Sequence, residues 1–279
     1  MKSVKKRLTI TLDRETIARV DAFIDGAKIR NRSHAIEYLL NTSFSPSATK
    51  VLILAGGEGV KFRPLTNELP KSLIPVGKKP LLEHTVDSLR EHGLKKIYIS
   101  LGHLGAKIKE YFGDGKESGV SIRYLKQSSK KKGTAQPVLE AKKRLSEGAF
   151  IVVYGDVITD LDYTDLLEFH KSHRGIATLA LTSVEKPAMW GVATIQGSRI
   201  VSFIEKPNAK TKSHLINAGV YVCNPEIFKY IKSSSTRLEK DVFPRLAEEG
   251  KLYAYTFEAD WYDVSGPEAY RQVLSEWRR

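Results

Sequence analysis

The feature that limits this chain most is the run Val51-Leu52-Ile53-Leu54-Ala55, which passes directly into Gly56-Gly57-Glu58-Gly59. A short uninterrupted apolar run bounded by glycines reads as a buried strand. The glycines carry a chemical consequence as well. Without a Cβ the backbone approaches phosphate oxygens closely, and its N–H groups bind anions. The residues that follow, Val60-Lys61-Phe62-Arg63-Pro64-Leu65-Thr66, lack the Gly-Lys-Ser/Thr that completes a Walker loop.

Downstream of that strand, apolar strand runs alternate with helical ones. Periodicity predicts helices over Pro80–His92, Ala106–Phe112, Thr134–Leu145, Tyr163–Ser172, Lys240–Glu249 and Pro267–Trp277. Strands are expected at Lys96–Leu101, Ser121–Leu125, Phe150–Tyr154, Ala177–Thr182, Gly191–Ile195, Ile200–Glu205 and Ala218–Val222. This alternation implies an α/β fold, a sheet with helices on both faces. Lys130-Lys131-Lys132 reads as a short solvated basic loop.

Upstream, the seam Asn41–Lys50 is rich in small polar residues and holds Pro46, the composition of a linker. The expected division is therefore a module at 1–45, a linker at 46–50 and a large domain at 51–279. No stretch approaches the roughly 18 apolar residues of a membrane-crossing helix, so no membrane partner is expected. The basic N-terminus is not followed by an apolar run with a cleavage site, which argues against a signal peptide. The single cysteine, Cys223, has no partner for an internal disulfide and sits in a strand-like run. A buried thiol in a reduced cytoplasm is the expectation. The formal net charge of +13 favours anionic partners such as nucleotides, nucleic acid or phosphosugars.

In the front module, Leu8, Ile10 and Leu12 share one face of an alternating stretch over Lys6–Leu12, and Arg7, Thr9 and Thr11 share the other. Asp13 is placed to cap a helix carrying Ile17, Val20, Phe23 and Ile24. Gly26 offers a stop. Ser33 can cap a second helix with Ile36, Leu39 and Leu40 on its apolar stripe. A strand and two helices of this size cannot bury these faces alone, so a homodimer or higher oligomer is implied. Over roughly residues 4–44, including the Arg32-Ser33 pair, the module resembles the ribbon-helix-helix family of DNA-binding proteins. That resemblance implies a two-chain ribbon in the major groove, with Arg7, Thr9 and Thr11 facing base edges. It also implies a phosphate contact at the start of the second helix, near Ser33. A dimerisation module with a solvated ribbon face is the other reading, and the residues leave both open.

The glycine loop continues into Pro70-Lys71-Ser72-Leu73-Ile74-Pro75-Val76 and Lys79-Pro80-Leu81-Leu82. Together these resemble the sugar-1-phosphate nucleotidyltransferase family, with mannose-1-phosphate guanylyltransferases the nearer flavour. Gly133-Thr134-Ala135, Gly155-Asp156, Gly191, Glu205-Lys206-Pro207, Asn217, Gly219 and Trp261-Tyr262-Asp263-Val264 then fall in family order. The resemblance implies a Rossmann-like, GT-A-like mixed sheet. It implies nucleotide binding by Ala55, Gly56, Gly57, Gly59, Gly133 and Thr134, and sugar-phosphate binding by Gly191, Glu205, Lys206, Asn217 and Gly219. Asp156 and Asp263 would hold Mg²⁺, a hard cation that prefers oxygen ligands. Lys61, Lys71 and Asp156 would be the catalytic groups, with a nucleoside triphosphate and a sugar 1-phosphate as substrates. The attacking phosphate oxygen is already an anion, so the reaction needs alignment and charge neutralisation rather than a base.

One departure stands out. Where the family carries Gly-Thr-Arg, this chain reads Gly59-Val60-Lys61. Lysine keeps the charge but loses the planar two-pronged donor geometry of arginine. The altered loop and the front module together admit a second function, a transcription regulator whose transferase-like domain senses a nucleotide or sugar phosphate.

Overall fold

A computed structural model describes residues 9–26, 29–44, 49–127, 133–207 and 211–277. Arg7, Leu8 and the Lys130-Lys131-Lys132 loop lie outside the described residues. The chain divides into two compact units, Met1–Ser45 and Pro46–Arg279.

The first unit is a helix pair, α1 over Arg14–Asp21 and α2 over Arg32–Phe44. Asp13 caps α1, as its position suggests, by accepting the Thr16 N–H at 2.7 Å. Ser33 does not cap α2. The helix begins one residue earlier, and Asn31 accepts the His34 N–H at 2.9 Å. The cap role therefore moves to Asn31, whose amide oxygen reaches the first turn from just outside the helix. Val20, Ile29 and Ala35 form a small core, with Ile24, Ile36, Tyr38 and Leu39 packed against it. Arg32 holds α1 to α2 through two bonds to Asp21, both 2.7 Å. Residues 9–13 form no strand within one chain. Ile10, Phe23 and Leu40 stay exposed.

The second unit is built on a nine-stranded sheet. Its strands are β1 (Lys50–Ala55), β4 (Lys96–Leu101), β5 (Ser121–Lys126), β6 (Phe150–Tyr154), β8 (Ala177–Ser183), β9 (Gly191–Gln196), β10 (Arg199–Glu205), β11 (Leu215–Cys223) and β12 (Leu252–Thr256). Two small two-stranded sheets accompany it: β2 (Pro75–Val76) with β3 (Lys79–Pro80), and β7 (Val157–Thr159) with β13 (Trp261–Asp263). The helices are α3 (Leu81–Glu91), α4 (Gly105–Phe112), α5 (Ala135–Glu140), α6 (Lys142–Leu145), α7 (Tyr163–Lys171), α8 (Leu238–Asp241), α9 (Phe243–Glu248) and α10 (Pro267–Glu276).

Strand order is β5-β4-β1-β6-β11-β8-β12-β10-β9. β5, β4, β1 and β6 run parallel, and β11 joins β6 antiparallel. Side-chain alternation along β1 then sorts residues onto two faces. Leu52 joins a core with Val152, Phe150, Tyr221 and Phe243, while Val51 and Ile53 join one with Leu82, Leu89, Ile151 and Leu166. Each fully buried Leu or Ile of this kind stabilises the fold by about 1.5–3 kcal/mol. Parallel strands place their carboxyl ends together, and loops from several strands meet there. Gly56 follows β1, Gly102 follows β4 and Gly155 follows β6. A Cβ on Gly102 would lie 2.4 Å from the Gly56 carbonyl oxygen, so these loops touch backbone to backbone.

Two expected helices break in two. Thr134–Leu145 divides at Ala141, and Lys240–Glu249 divides at Val242. In the second case Pro244 stands in the first turn of α9, where its missing N–H does no harm, and a new helix starts there. Among the described residues no helix is long and apolar enough to cross a membrane.

Candidate active site

A pocket of about 290 Å³ opens where the carboxyl end of β6 meets the amino-terminal half of the antiparallel β11. Gly133, Thr134, Asp156, Gly191, Glu205, Lys206, Asn217, Gly219 and Asp263 all line it. Sequence reasoning named each of these, and the fold gathers them from segments as far apart as 133 and 263. Tyr154, Met189, Trp190, Arg237, Glu239 and Trp261 are among the other residues of the wall.

The two aspartates meet through strand pairing. Asp156 follows β6, and Asp263 ends β13, which pairs antiparallel with β7 so that Asp263 stands opposite Val157. The Val264 N–H bonds the Asp156 carbonyl at 2.9 Å and fixes that register. Burial, with the nearby Asp156 charge, pushes the Asp263 carboxyl up to about 6. The Trp190 indole N–H donates to Asp263 Oδ2 at 2.9 Å, and Lys71 Nζ lies 2.6 Å from Asp156 Oδ2. A desolvated pair of like charges is unfavourable unless a cation joins it. These two carboxylates therefore suit a hard divalent ion, with Lys71 supplying positive charge to Asp156 without one. Among the described residues no group of three or more His, Cys, Asp or Glu side chains forms a metal site.

A backbone irregularity aims the pocket floor. β11 bulges between Asn217 and Tyr221, and Gly219 takes φ +75°, where a Cβ is strained. Asn217 Oδ1 accepts the Gly219 N–H at 2.9 Å, while Asn217 Nδ2 donates to the Tyr221 hydroxyl at 2.6 Å. That hydroxyl lies 2.9 Å from the Tyr154 hydroxyl and 3.3 Å from Glu239 Oε1. Glu239 is 5% exposed, and burial pushes its carboxyl up. Thr134, expected at the nucleotide, lines the pocket while its hydroxyl donates to Glu239 at 2.7 Å and accepts the Leu238 N–H at 2.9 Å. Its neighbour Gly133 has φ +132°, and a Cβ there would sit 2.2 Å from the Thr236 carbonyl. This corner is a packed junction between two loops.

Ala55, Gly56, Gly57, Gly59, Lys61 and Lys71 lie outside the pocket lining. Lys71 reaches it through its ion pair with Asp156. Gly59, at φ +61°, starts a short turn and packs against Thr66 and Lys71. Lys61 is exposed, and an added Cβ on Gly266, three residues after Asp263, would touch its Cδ at 3.4 Å. Gly57 has open space around it.

Glu239, Arg237 and Trp190 were not legible as site residues. An acidic residue in a short polar helix reads as solvated surface, and nothing nearby in sequence marks its burial. Trp190 offered one signal, an aromatic directly before Gly191.

Residues 50–278 match the model of a family described as nucleotidyl transferase. The chain is 34% identical over 227 residues to mannose-1-phosphate guanylyltransferase 1 of Arabidopsis thaliana, covering 79% of this chain and 62% of that protein. It is 35% identical over 223 residues to the mannose-1-phosphate guanylyltransferase catalytic subunit beta of Danio rerio, covering 78% and 61%. The chain thus spans about three-fifths of the length of these curated relatives. Among solved structures, a Bacillus anthracis protein described as a glucose-1-phosphate thymidylyltransferase in complex with a sucrose superposes with TM-score 0.76 at 29% identity, covering 82% of this chain and 94% of that one. A UDP-glucose pyrophosphorylase complexed with UDP-glucose shares the fold at TM-score 0.70 and 22% identity, covering 81% and 97%.

Proposed function

Because this chain belongs to the nucleotidyl transferase family, we propose that residues 51–279 transfer a nucleotidyl group from a nucleoside triphosphate to a sugar 1-phosphate, releasing pyrophosphate. GTP and mannose 1-phosphate are the preferred pair, on the strength of the guanylyltransferase relatives. The observation that carries this reading is the convergence on one pocket of Asp156 and Asp263 with the sugar-side residues Glu205, Lys206 and Asn217.

The chemistry follows from charge. A sugar-phosphate oxygen attacks the α-phosphorus in line, and the residues hold the two anions together. Lys206 neutralises the sugar phosphate. Lys71, 2.6 Å from Asp156, neutralises the nucleotide side. Gly56, Gly57 and Gly59 present backbone N–H groups to the phosphates, and Lys61 meets the departing pyrophosphate. Glu205 and Asn217 hold sugar hydroxyls. Asp156 and Asp263 would hold Mg²⁺, which would supply positive charge to the phosphate oxygens.

The test is pyrophosphate release over a panel of triphosphates and sugar phosphates. GTP with mannose 1-phosphate should lead. No turnover with any pair, alongside measurable nucleotide binding, would replace this reading with a nucleotide-sensing regulator. The loop favours that second reading: Val60 is exposed where the family has a threonine hydroxyl, and Lys61 replaces arginine.

For residues 1–45 we propose a DNA-binding homodimer. Support comes from the exposed Thr9 and Thr11 and from the apolar Ile10, which one chain leaves uncovered. A two-chain ribbon would cover it and turn the threonines outward. An enzyme that represses its own pathway accommodates both units. DNA binding should weaken steeply with salt and vanish on deletion of residues 1–45. The buried, lone Cys223 supports a cytoplasmic setting.

A further inference from the structure

Trp190 occupies an unusual junction. It stands just before β9, half-buried in the pocket wall. Its indole N–H donates to Asp263 Oδ2 at 2.9 Å. Its backbone carbonyl accepts the Lys206 N–H at 3.0 Å. Lys206 is a non-glycine residue at φ +49°, a left-handed conformation that an L side chain adopts at a cost of about 1–2 kcal/mol. One residue therefore grips both the buried carboxylate and the strained turn that presents the sugar-side lysine.

The indole itself is braced. Its ring meets the Trp261 ring edge to face, centroids 6.0 Å apart at 68°. Trp261 is in turn pinned by its own indole N–H, which donates to the Ala218 carbonyl at 2.9 Å. Ala218 lies within the β11 bulge beside Asn217 and Gly219. The chain of contacts runs from bulge to Trp261 to Trp190 to Asp263. An indole N–H can only donate. It occupies Oδ2 of Asp263 and leaves Oδ1 for another partner. Among the described residues no other hydrogen bond reaches the Asp263 carboxylate.

Resting on the reading of Asp156 and Asp263 as cation ligands, we propose that Trp190 is a positioning residue that sets the orientation of the Asp263 carboxylate for a divalent cation. A donor behind a ligating carboxylate raises the fraction of time the free oxygen faces the ion. Loss of such an outer partner weakens metal affinity about 10–100-fold. The Lys206 contact uses the Trp190 main chain, so side-chain replacement leaves the sugar-phosphate lysine in place.

The test measures Mn²⁺ binding to the full-length protein by electron paramagnetic resonance, without substrates. Trp190→Phe keeps a ring against Trp261 and removes the N–H. Its Mn²⁺ affinity should fall at least about tenfold. Trp190→His restores a ring donor and should recover part of the lost affinity. A folded W190F protein that binds Mn²⁺ as the wild type does overturns the proposal, and so does a W190H protein as weak as W190F. Wild-type protein that binds no Mn²⁺ sinks the cation reading of the two aspartates instead. If neither variant folds, the wild-type protein labelled with nitrogen-15 carries the test. It has three tryptophans, and at least one indole N–H resonance must shift on Mg²⁺ addition. Three unmoved resonances overturn the proposal.

Discussion

The glycine loop and the sugar-side pocket are built by opposite means. The pocket is a closed network: Asn217, Tyr221, Tyr154, Glu239 and Thr134 bond one another across β6, β11 and α8. Gly133 has no room for a Cβ, and Gly219 stands at φ +75° with the Tyr154 ring close by. The loop is held at Gly56 and Gly59, which Gln127, Thr66 and Lys71 hem in, and is open between and beyond them. Thr66 Oγ1 donates to the Gly59 carbonyl at 2.8 Å, and His103 Nε2 meets the Thr66 carbonyl at 2.9 Å. Val60 is 56% exposed and Gly57 faces open space. The pocket is thus shaped before a ligand arrives, while the loop keeps groups free that only a ligand would use. A pre-shaped site lowers the ordering cost of binding. On the proposed function, sugar discrimination belongs to the rigid side and triphosphate affinity to the open one.

The strongest way to break this contrast is at the cation pair. Asp263→Asn should lower pyrophosphate release about 1,000-fold, with an unchanged circular dichroism spectrum, because it removes charge stabilisation at the reacting phosphate. A variant with near-normal turnover would dissolve the assignment of Asp263. Next comes a pair of glycine changes that separate fold from ligand. Gly133→Ala meets the Thr236 carbonyl and should lower the melting temperature by roughly 4–10 °C. Gly57→Ala meets nothing and should leave the melting temperature within about 1 °C. It should nevertheless raise the KM for the triphosphate about tenfold, equal to about 1.4 kcal/mol. If both variants melt early, the loop is as tightly packed as the pocket and the contrast fails.

A pH series sharpens the pocket side. The Asp263 carboxyl is raised to about 6 in the folded chain against an ordinary value of 3.8. A raised carboxyl means the folded state holds the proton more tightly than the unfolded one. Stability from this group is therefore present below the ordinary value and lost as pH climbs through about 6. A cation reverses the sign by binding the ionised form. Mg²⁺ should accordingly raise the melting temperature more at pH 7.5 than at pH 5, as read by differential scanning calorimetry; an equal shift at both would show that Asp263 does not take part. The smallest effect belongs to the loop. Lys61→Arg restores a planar donor pair and should raise kcat a few-fold, with stability unchanged.

Much of this was legible from residues in order. Strands Lys96–Leu101 and Phe150–Tyr154 lie where their apolar runs place them, and α3 and α10 differ from expectation by a residue or so at their ends. Long periodic segments carry enough repeats to declare themselves. β7 and β13 do not, at three residues each. They form only where the fold lays residues 157–159 against 261–263, and no local pattern marks them. The front unit taught a different lesson. Its helices and the Asp13 cap follow from sequence, but Phe23 and Ile24 fall past the end of α1 instead of on its stripe. The alternation of Leu8, Ile10 and Leu12 finds no partner strand among the described residues of one chain.

The order of motifs from Gly56 to Asp263 sufficed, through its resemblance to the family, to place the chain there and to name part of the pocket lining, Asp156, Glu205, Lys206, Asn217 and Asp263 among it. Which of them touch one another could not be read that way. Thr134 spends its hydroxyl on Glu239, Trp190 turns its N–H to Asp263, and Lys71 reaches Asp156 from 85 positions away. Such partners are chosen by where the β11 bulge and the β7–β13 pairing put the backbone, and long-range geometry of that kind leaves no mark on neighbouring residues.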